Sequence, residues 1–219
     1  MPGNHGADSE KPISETERQL NETIKFLKER LFFEPLSGTF HYNLGVAYAQ
    51  KGLREEAISE FKQSIECDPS LAQAHVNLGG LYLQKGDLDL CIEVNHEALR
   101  LDPTLPMAYA NLGFAYLQKG DYEKTIENCK EAIERMPGFL PAHNSLAVAY
   151  FHAGRVESSI AASLKILSLN DRFAPAHYNL ALAYQTTGEG ERAKAHYEKA
   201  KALGYAISPE MELEWNRGE

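Results

Sequence analysis

The chain has 219 residues, of which 43% are hydrophobic and 24% are charged, and its formal net charge is −9. Such a composition supports one or two folded domains or one repeat array, and the acidic balance disfavours a protein that binds the phosphate backbone of nucleic acids. The sequence has no run of about 18 apolar residues, so we expect no insertion into a membrane. Its polar start and its three cysteines predict a cytoplasmic protein with reduced thiols.

The first predicted element is a helix that follows a polar segment. Residues 1–12 predict a flexible tail, and residues 13–37 predict an N-terminal helix. The sequence SETE at 14–17 has the form of a capping box, with Ser14 as the N-cap and Glu17 three residues later. Pro35 lies 34 residues before Pro69, so we interpret this helix as the second helix of a partial leading repeat.

A segment first met at residues 41–52, HYNLGVAYAQKG, recurs four more times at a constant spacing of 34 residues. A fixed period of this length indicates a solenoid of stacked units. If Leu44 is counted as position 7, the five repeats span residues 38–71, 72–105, 106–139, 140–173 and 174–207.

Each repeat predicts a helix, a turn and a second helix. Positions 4, 7, 8 and 11 share one face of the first helix, and small residues at positions 8, 20 and 27 let the two helices approach closely. A glycine at position 15 ends the first helix. The five glycines are Gly52, Gly86, Gly120, Gly154 and Gly188. A proline at position 32 ends the second helix in the first three repeats.

The spacing, glycines, prolines and the tyrosine at position 11 resemble the tetratricopeptide repeat family over residues 38–207. The resemblance implies an all-α fold, a right-handed α-solenoid of helix-turn-helix repeats, whose concave face binds peptides. Residues 208–219 predict a C-terminal capping helix, with Ser208 as N-cap, Pro209 in the first turn, and Met211 and Trp215 covering the apolar end of the stack.

A second face of the first helices, which we call the inner stripe, consists of positions 2, 5, 6, 9, 12 and 13. None of its thirty residues is Asp, Glu, Lys or Arg. Position 6 is asparagine in four repeats, and a primary amide can both donate to and accept from a peptide backbone. The pattern resembles the asparagine ladder of O-GlcNAc transferases. The alternative is that some of these residues only pack against the neighbouring repeat. The candidate peptide-binding residues are Asn43, Asn77, Asn111, Asn179, Tyr42, Val46, Leu83, Phe114, Leu117, Val148, Phe151, His152, Tyr178 and Leu182.

The sequence contains no phosphate-binding loop, no dinucleotide-binding glycine motif following a strand, and no C-x-x-C. Four histidines share position 4, which favours packed residues over metal ligands. They are His41, His75, His143 and His177. We therefore expect no enzyme activity, no cofactor and no metal.

The resemblance implies a non-catalytic interaction module that serves as an adaptor, scaffold, assembly factor or co-chaperone. The family members that hold acidic C-termini need Lys and Arg on the inner stripe, so we expect an apolar or mixed segment of a partner protein instead. Two alternatives stay open. One is an accessory or substrate-recruiting subunit of an enzyme complex. The other is a self-assembling scaffold, a homo-oligomer whose groove takes the tail of another copy.

Overall fold

The structure is a computed structural model that describes residues 14–207, Glu212 and Trp215. Residues 14–207 form eleven helices and no strand, which confirms the predicted all-α solenoid. The first helix is α1 (Glu15–Phe33). The others are α2 (Gly38–Gln50), α3 (Arg54–Cys67), α4 (Ala72–Lys85), α5 (Leu88–Leu101), α6 (Pro106–Gln118), α7 (Tyr122–Arg135), α8 (Leu140–His152), α9 (Val156–Leu169), α10 (Ala174–Thr186) and α11 (Gly190–Ala202).

The chain divides into two compact units, of which unit 1 ends at Leu78 and unit 2 begins at Gly79. Unit 1 contains α1, α2, α3 and the start of α4. Unit 2 contains the rest of α4 and the helices from α5 to α11. Even-numbered helices are the first helices of the repeats, and odd-numbered helices from α3 onwards are the second helices.

The helix ends follow the predicted local chemistry. The Ser14 side chain accepts a hydrogen bond from the Glu17 amide at 3.2 Å, so it caps α1 as predicted. The glycine at position 15 adopts a left-handed conformation in every repeat, with φ from 73° in Gly154 to 86° in Gly86. Because a side chain disfavours this conformation, glycine ends each first helix at lowest cost.

Close approach at position 8 holds the two helices of a repeat together. In unit 1 a Cβ atom on Gly45 would lie 2.9 Å from the ring of Phe61, which sits at position 24 of the second helix. In unit 2 a Cβ atom on Gly79 would lie 2.0 Å from Nδ2 of Asn95. Asn95 is fully buried, and its Nδ2 donates to the Cys91 carbonyl at 2.7 Å. The missing side chain at position 8 therefore makes room for whatever stands at position 24.

Trp215 covers the last repeat of unit 2. Its ring stacks on Tyr197, with the centroids 4.3 Å apart and the planes at 6°. It also packs against the buried cluster of Leu180, Tyr184 and Ala193. Residues 1–13 and the predicted capping residues Ser208, Pro209 and Met211 lie outside the described part of the chain, so those predictions stay open.

Two adjacent glycines of α4 provide a test of the close approach. We expect Gly79→Ala to lower the free energy of unfolding by about 1–3 kcal/mol, because the new methyl group would clash with Asn95. Gly80→Ala is the matched control, since its Cβ would meet only Nδ2 of Asn111, at 3.9 Å. We expect the control to gain about 0.5–1 kcal/mol from its higher helix propensity. Urea denaturation followed by circular dichroism measures both changes, and equal stability of the two variants would contradict the steric argument.

Candidate functional site

In unit 2 the first helices α6, α8 and α10 are neighbours, and their inner stripes remain partly open to solvent. Positions 2, 9 and 13 are half-buried or exposed on each of these helices, and we call these nine residues the accessible row. They are Met107, Phe114 and Gln118 on α6, Pro141, Val148 and His152 on α8, and Pro175, Leu182 and Thr186 on α10. The accessible row carries no charged side chain, although solvent-facing positions tolerate charge at little cost.

The asparagines at position 6 bond to neighbouring repeats. In unit 2, Nδ2 of Asn179 donates to Oδ1 of Asn144 at 2.9 Å. In unit 1, Nδ2 of Asn77 donates to the hydroxyl of Tyr42 at 3.2 Å. Both bonds join position 6 of one repeat to position 5 of the repeat before it. The asparagine pattern therefore contributes to packing between successive first helices.

Asn111 differs from the other position-6 residues of unit 2. It is buried, with 6% of its surface exposed, and its Nδ2 lies 3.1 Å from Oδ1 of Asn95. Tyr178 is equally buried and stacks on Tyr205, with the ring centroids 4.6 Å apart. These two candidates therefore present little surface to a ligand.

The remaining candidates of unit 2 are more accessible. Leu83, Leu117 and Phe151 share position 12 and are half-buried. Leu117 packs against the buried cluster around Ile126. His152 is exposed and stacks on Tyr122, with the ring centroids 5.2 Å apart. The structure thus brings the apolar candidates of α6, α8 and α10 onto one side of neighbouring helices, and it places position 12 nearer the core than position 9.

Unit 1 contains a groove of about 750 Å³ between α1 and α2, which we call the α1–α2 groove. From α2 it is lined by Asn43, Val46, Ala47 and Gln50. From α1 it is lined by Thr16, Gln19, Leu20, Thr23, Phe26 and Leu27. None of these ten residues is charged. Sequence analysis identified Asn43 and Val46 but missed the α1 side, which the register of Pro35 against Pro69 could have shown.

A second cavity, of about 490 Å³, lies in unit 2 away from the accessible row. Leu146 and Tyr150 of α8 line it, together with residues of α7 and α9. Ala161 and Ala162 of α9 widen this cavity because their side chains are small. The inner-stripe pattern gave no indication of it.

Comparison with known proteins decides the family. Models described as tetratricopeptide repeat match residues 38–71, 60–93, 106–139 and 174–203, and a model described as TPR repeat matches residues 79–120. Together these ranges cover more than half of the chain. The chain belongs to the tetratricopeptide repeat family. The family prediction is therefore confirmed.

Solved structures of other tetratricopeptide repeat proteins are similar in fold. A crystal structure of MamA protein is 25% identical in sequence, covers 78% of this chain and 98% of its own, and has a TM-score of 0.68. MamA from Desulfovibrio magneticus RS-1 is 20% identical over 76% of this chain and 94% of its own, with a TM-score of 0.70. YrrB, a TPR protein with an unusual peptide-binding site, is 16% identical over 87% of this chain and 97% of its own, with a TM-score of 0.74.

The comparison with curated proteins finds no match to the sequence. Among the described residues, no helix combines the length and the apolar character that crossing a membrane requires.

The histidines at position 4 of this tetratricopeptide repeat protein are packed residues, as predicted. Nε2 of His143 lies 2.8 Å from the Pro137 carbonyl, and Nε2 of His177 lies 3.0 Å from the Asp171 carbonyl. His41 bridges the Pro35 carbonyl, 3.1 Å away, and the Glu60 carboxylate, 2.7 Å away. Within the part of the chain that the structure describes, no three His, Cys, Asp or Glu side chains group as metal ligands do.

The two buried thiols are poor nucleophiles. Burial raises the pKa of Cys91 to about 11 and that of Cys129 to about 12. Since the thiolate is the reactive form, neither cysteine is suited to covalent catalysis at neutral pH. Cys67, Cys91 and Cys129 form no disulfide.

One histidine pair predicts a pH dependence of stability. Nδ1 of His177 lies 2.9 Å from Nδ1 of His196. Burial, the neighbouring His177 and Arg192 lower the pKa of His196 below its ordinary value of 6.5. The unfolded chain therefore binds this proton more readily than the folded protein. Stability is fully present above pH 6.5 and is lost as the pH falls from that value towards the lower folded-state pKa.

We expect His196→Gln to remove this part of the pH dependence, because glutamine does not titrate. The measurement is the free energy of unfolding in urea, for the wild type and the variant, from about pH 7.5 to about pH 5. The carboxylates are common to both proteins, so the difference between the two curves isolates His196. Parallel curves would show that His196 does not couple protonation to unfolding.

Proposed function

We propose that this protein is a non-catalytic protein–protein interaction module, an adaptor, scaffold or assembly factor that binds a partner segment on the inner stripe of its first helices. The observation that carries the proposal is the accessible row of unit 2, nine solvent-reached residues without a charge on three neighbouring helices. Folding alone does not require such a surface to be uncharged. A ligand that buries it would require this, because an unpaired buried charge is costly.

Apolar anchors supply the affinity in this proposal. Phe114, Val148 and Leu182 share position 9 of α6, α8 and α10, and each is half-buried. Completing the burial of such side chains contributes about 1.5–3 kcal/mol each at most. Several anchors, less the association cost of about 4–15 kcal/mol, give binding of roughly micromolar strength.

Side-chain amides supply hydrogen bonds to the ligand. A primary amide has two donor hydrogens and an acceptor oxygen. The bond from Asn179 to Asn144 uses part of the capacity of each, and both side chains are half-buried rather than covered. Gln118 adds an exposed amide at position 13 of α6. These groups suit the backbone or polar side chains of a bound segment.

The charges around the row indicate the class of partner. No lysine or arginine belongs to the inner stripe, so an acidic C-terminal motif would find no counter-charge there. Lys119, one position beyond the stripe, pairs with Asp89. An apolar or mixed segment of a cytoplasmic partner fits this surface better than a strongly acidic one. In unit 1, α1 walls the same stripe, so a ligand there lies against α1 as well as α2.

Site-specific photo-crosslinking tests the proposal. A photoreactive amino acid in place of Val148 should form a covalent adduct with a partner segment in an extract of the native host. Phe114→Asp in the same protein should weaken capture at least about tenfold, because a charge replaces a buried anchor. Mass spectrometry of the adduct identifies the segment, and circular dichroism confirms that the variant remains helical.

The matched control carries the photoreactive residue in place of Glu127, which is exposed on the second helix α7. It should capture nothing that Val148 captures. An identical set of adducts from both positions, or capture that survives Phe114→Asp, would exclude the accessible row as the binding site.

A further inference from the structure

The α1–α2 groove lies where unit 1 lacks a helix. With Pro35 at position 32, Thr23 and Leu27 of α1 fall at positions 20 and 24. The equivalent residues of α3, Ala57 and Phe61, are buried against the first helix α2. In α1 the same two positions line the groove. The groove is therefore the place that a first helix takes in a complete repeat.

The chain directly before α1 does not carry the first-helix pattern. α1 begins at Glu15, which is position 12 in this register, whereas α3 begins at Arg54, position 17. Positions 7 and 8, which are Leu44 and Gly45 in the next repeat, are Glu10 and Lys11. A helix with this pattern has to be supplied by a segment that is not adjacent to α1.

Asn43 indicates what that helix offers. Asn77 donates to Tyr42 of the preceding first helix in unit 1, and Asn179 donates to Asn144 in unit 2. Asn43 occupies the same position 6, but the first helix that would precede it is absent, and its side chain is exposed in the groove. A hydrogen-bond acceptor at position 5 of an incoming helix would meet this amide.

We propose that the α1–α2 groove binds an amphipathic helix of another protein, which completes the half repeat formed by α1. The groove continues the interface between successive first helices that Tyr42 and Asn77 already form within unit 1. Its lining is uncharged, so the complementary face of the incoming helix is uncharged as well.

The complete repeats define the rest of the incoming face. Helices joined by a short turn pack antiparallel, so the incoming helix runs antiparallel to α1. At position 8 it carries a small residue, which lies against Leu27 as Gly45 lies against Phe61. At position 7 it carries a leucine, and at position 5 an asparagine or tyrosine. Phe26, 56% exposed at the edge of the groove, would be covered by the new helix.

A first-helix peptide of this chain serves as the probe. The synthetic peptide LPAHNSLAVAYFHA, residues 140–153, carries Asn144 at position 5, Leu146 at position 7 and a small residue at position 8. Fluorescence anisotropy of the labelled peptide, titrated with the full chain, should show saturable binding. Thr23→Arg, which fills the groove, should weaken binding at least tenfold. Glu22→Arg is the matched control on the same helix, outside the lining, and should leave binding unchanged.

The hydrogen bond has its own readout. Asn43→Ala in the protein and Asn144→Ala in the peptide should each weaken binding about fivefold, the contribution of one net hydrogen bond. Combining the two changes should cost little more than either alone, because they remove the same bond. Additive losses would show that the two amides do not meet.

Two results would overturn the proposal. One is no saturable binding, or binding that Thr23→Arg leaves intact. The other is a concentration-dependent dimer in light scattering that Thr23→Arg dissolves, which would assign the groove to a second copy of the chain. Crosslinking from Val148 reports on unit 2 alone, so this inference and the proposed function can fail separately.

Discussion

The contact between position 8 of a first helix and position 24 of its second helix is the constraint on which the repeats depend. It forces glycine or alanine at position 8, since Gly45 lies under Phe61 and Gly79 lies under Asn95 with no room for a larger side chain. Because the constraint recurs every 34 residues, it fixes the face by which each first helix meets its second helix. The opposite face of the first helix is left with fewer demands from folding.

That freedom gives the inner stripe its meaning. Exposed helix positions of soluble proteins usually carry charged residues, and the second helices of this chain do, as Glu55, Glu56 and Lys62 illustrate. The accessible row instead presents Phe114, Val148 and their neighbours without any charge. Two requirements act on the stripe, because position 6 joins successive repeats through Asn179 and Asn144 while positions 2, 9 and 13 stay open. Packing explains the first set of residues, and only a ligand explains the second.

Local chemistry made much of the fold predictable from the sequence. A left-handed glycine such as Gly52, or a capping serine such as Ser14, depends on its immediate neighbours, so the pattern specifies it directly. The partner of Asn77 could not be predicted in this way, because Tyr42 is 35 residues away and the bond depends on how two repeats stack. The burial of Asn111 has a similar origin, since it arises from Asn95, an amide where the family usually has an aromatic residue.

The α1–α2 groove was the feature furthest from the reach of pattern analysis, because it results from a helix that is missing. In a solenoid each unit is stabilised by its neighbours, so a unit without one neighbour exposes apolar surface until something covers it. The last repeat of unit 2 is covered from within the chain, where Trp215 stacks on Tyr197. The first repeat has only α1, which packs on α2 through Leu27 and leaves Phe26 and Val46 at an open, uncharged surface. A surface shaped by the loss of one helix is best complemented by another helix, which is why the chemistry of the complete repeats describes the ligand as well as the fold.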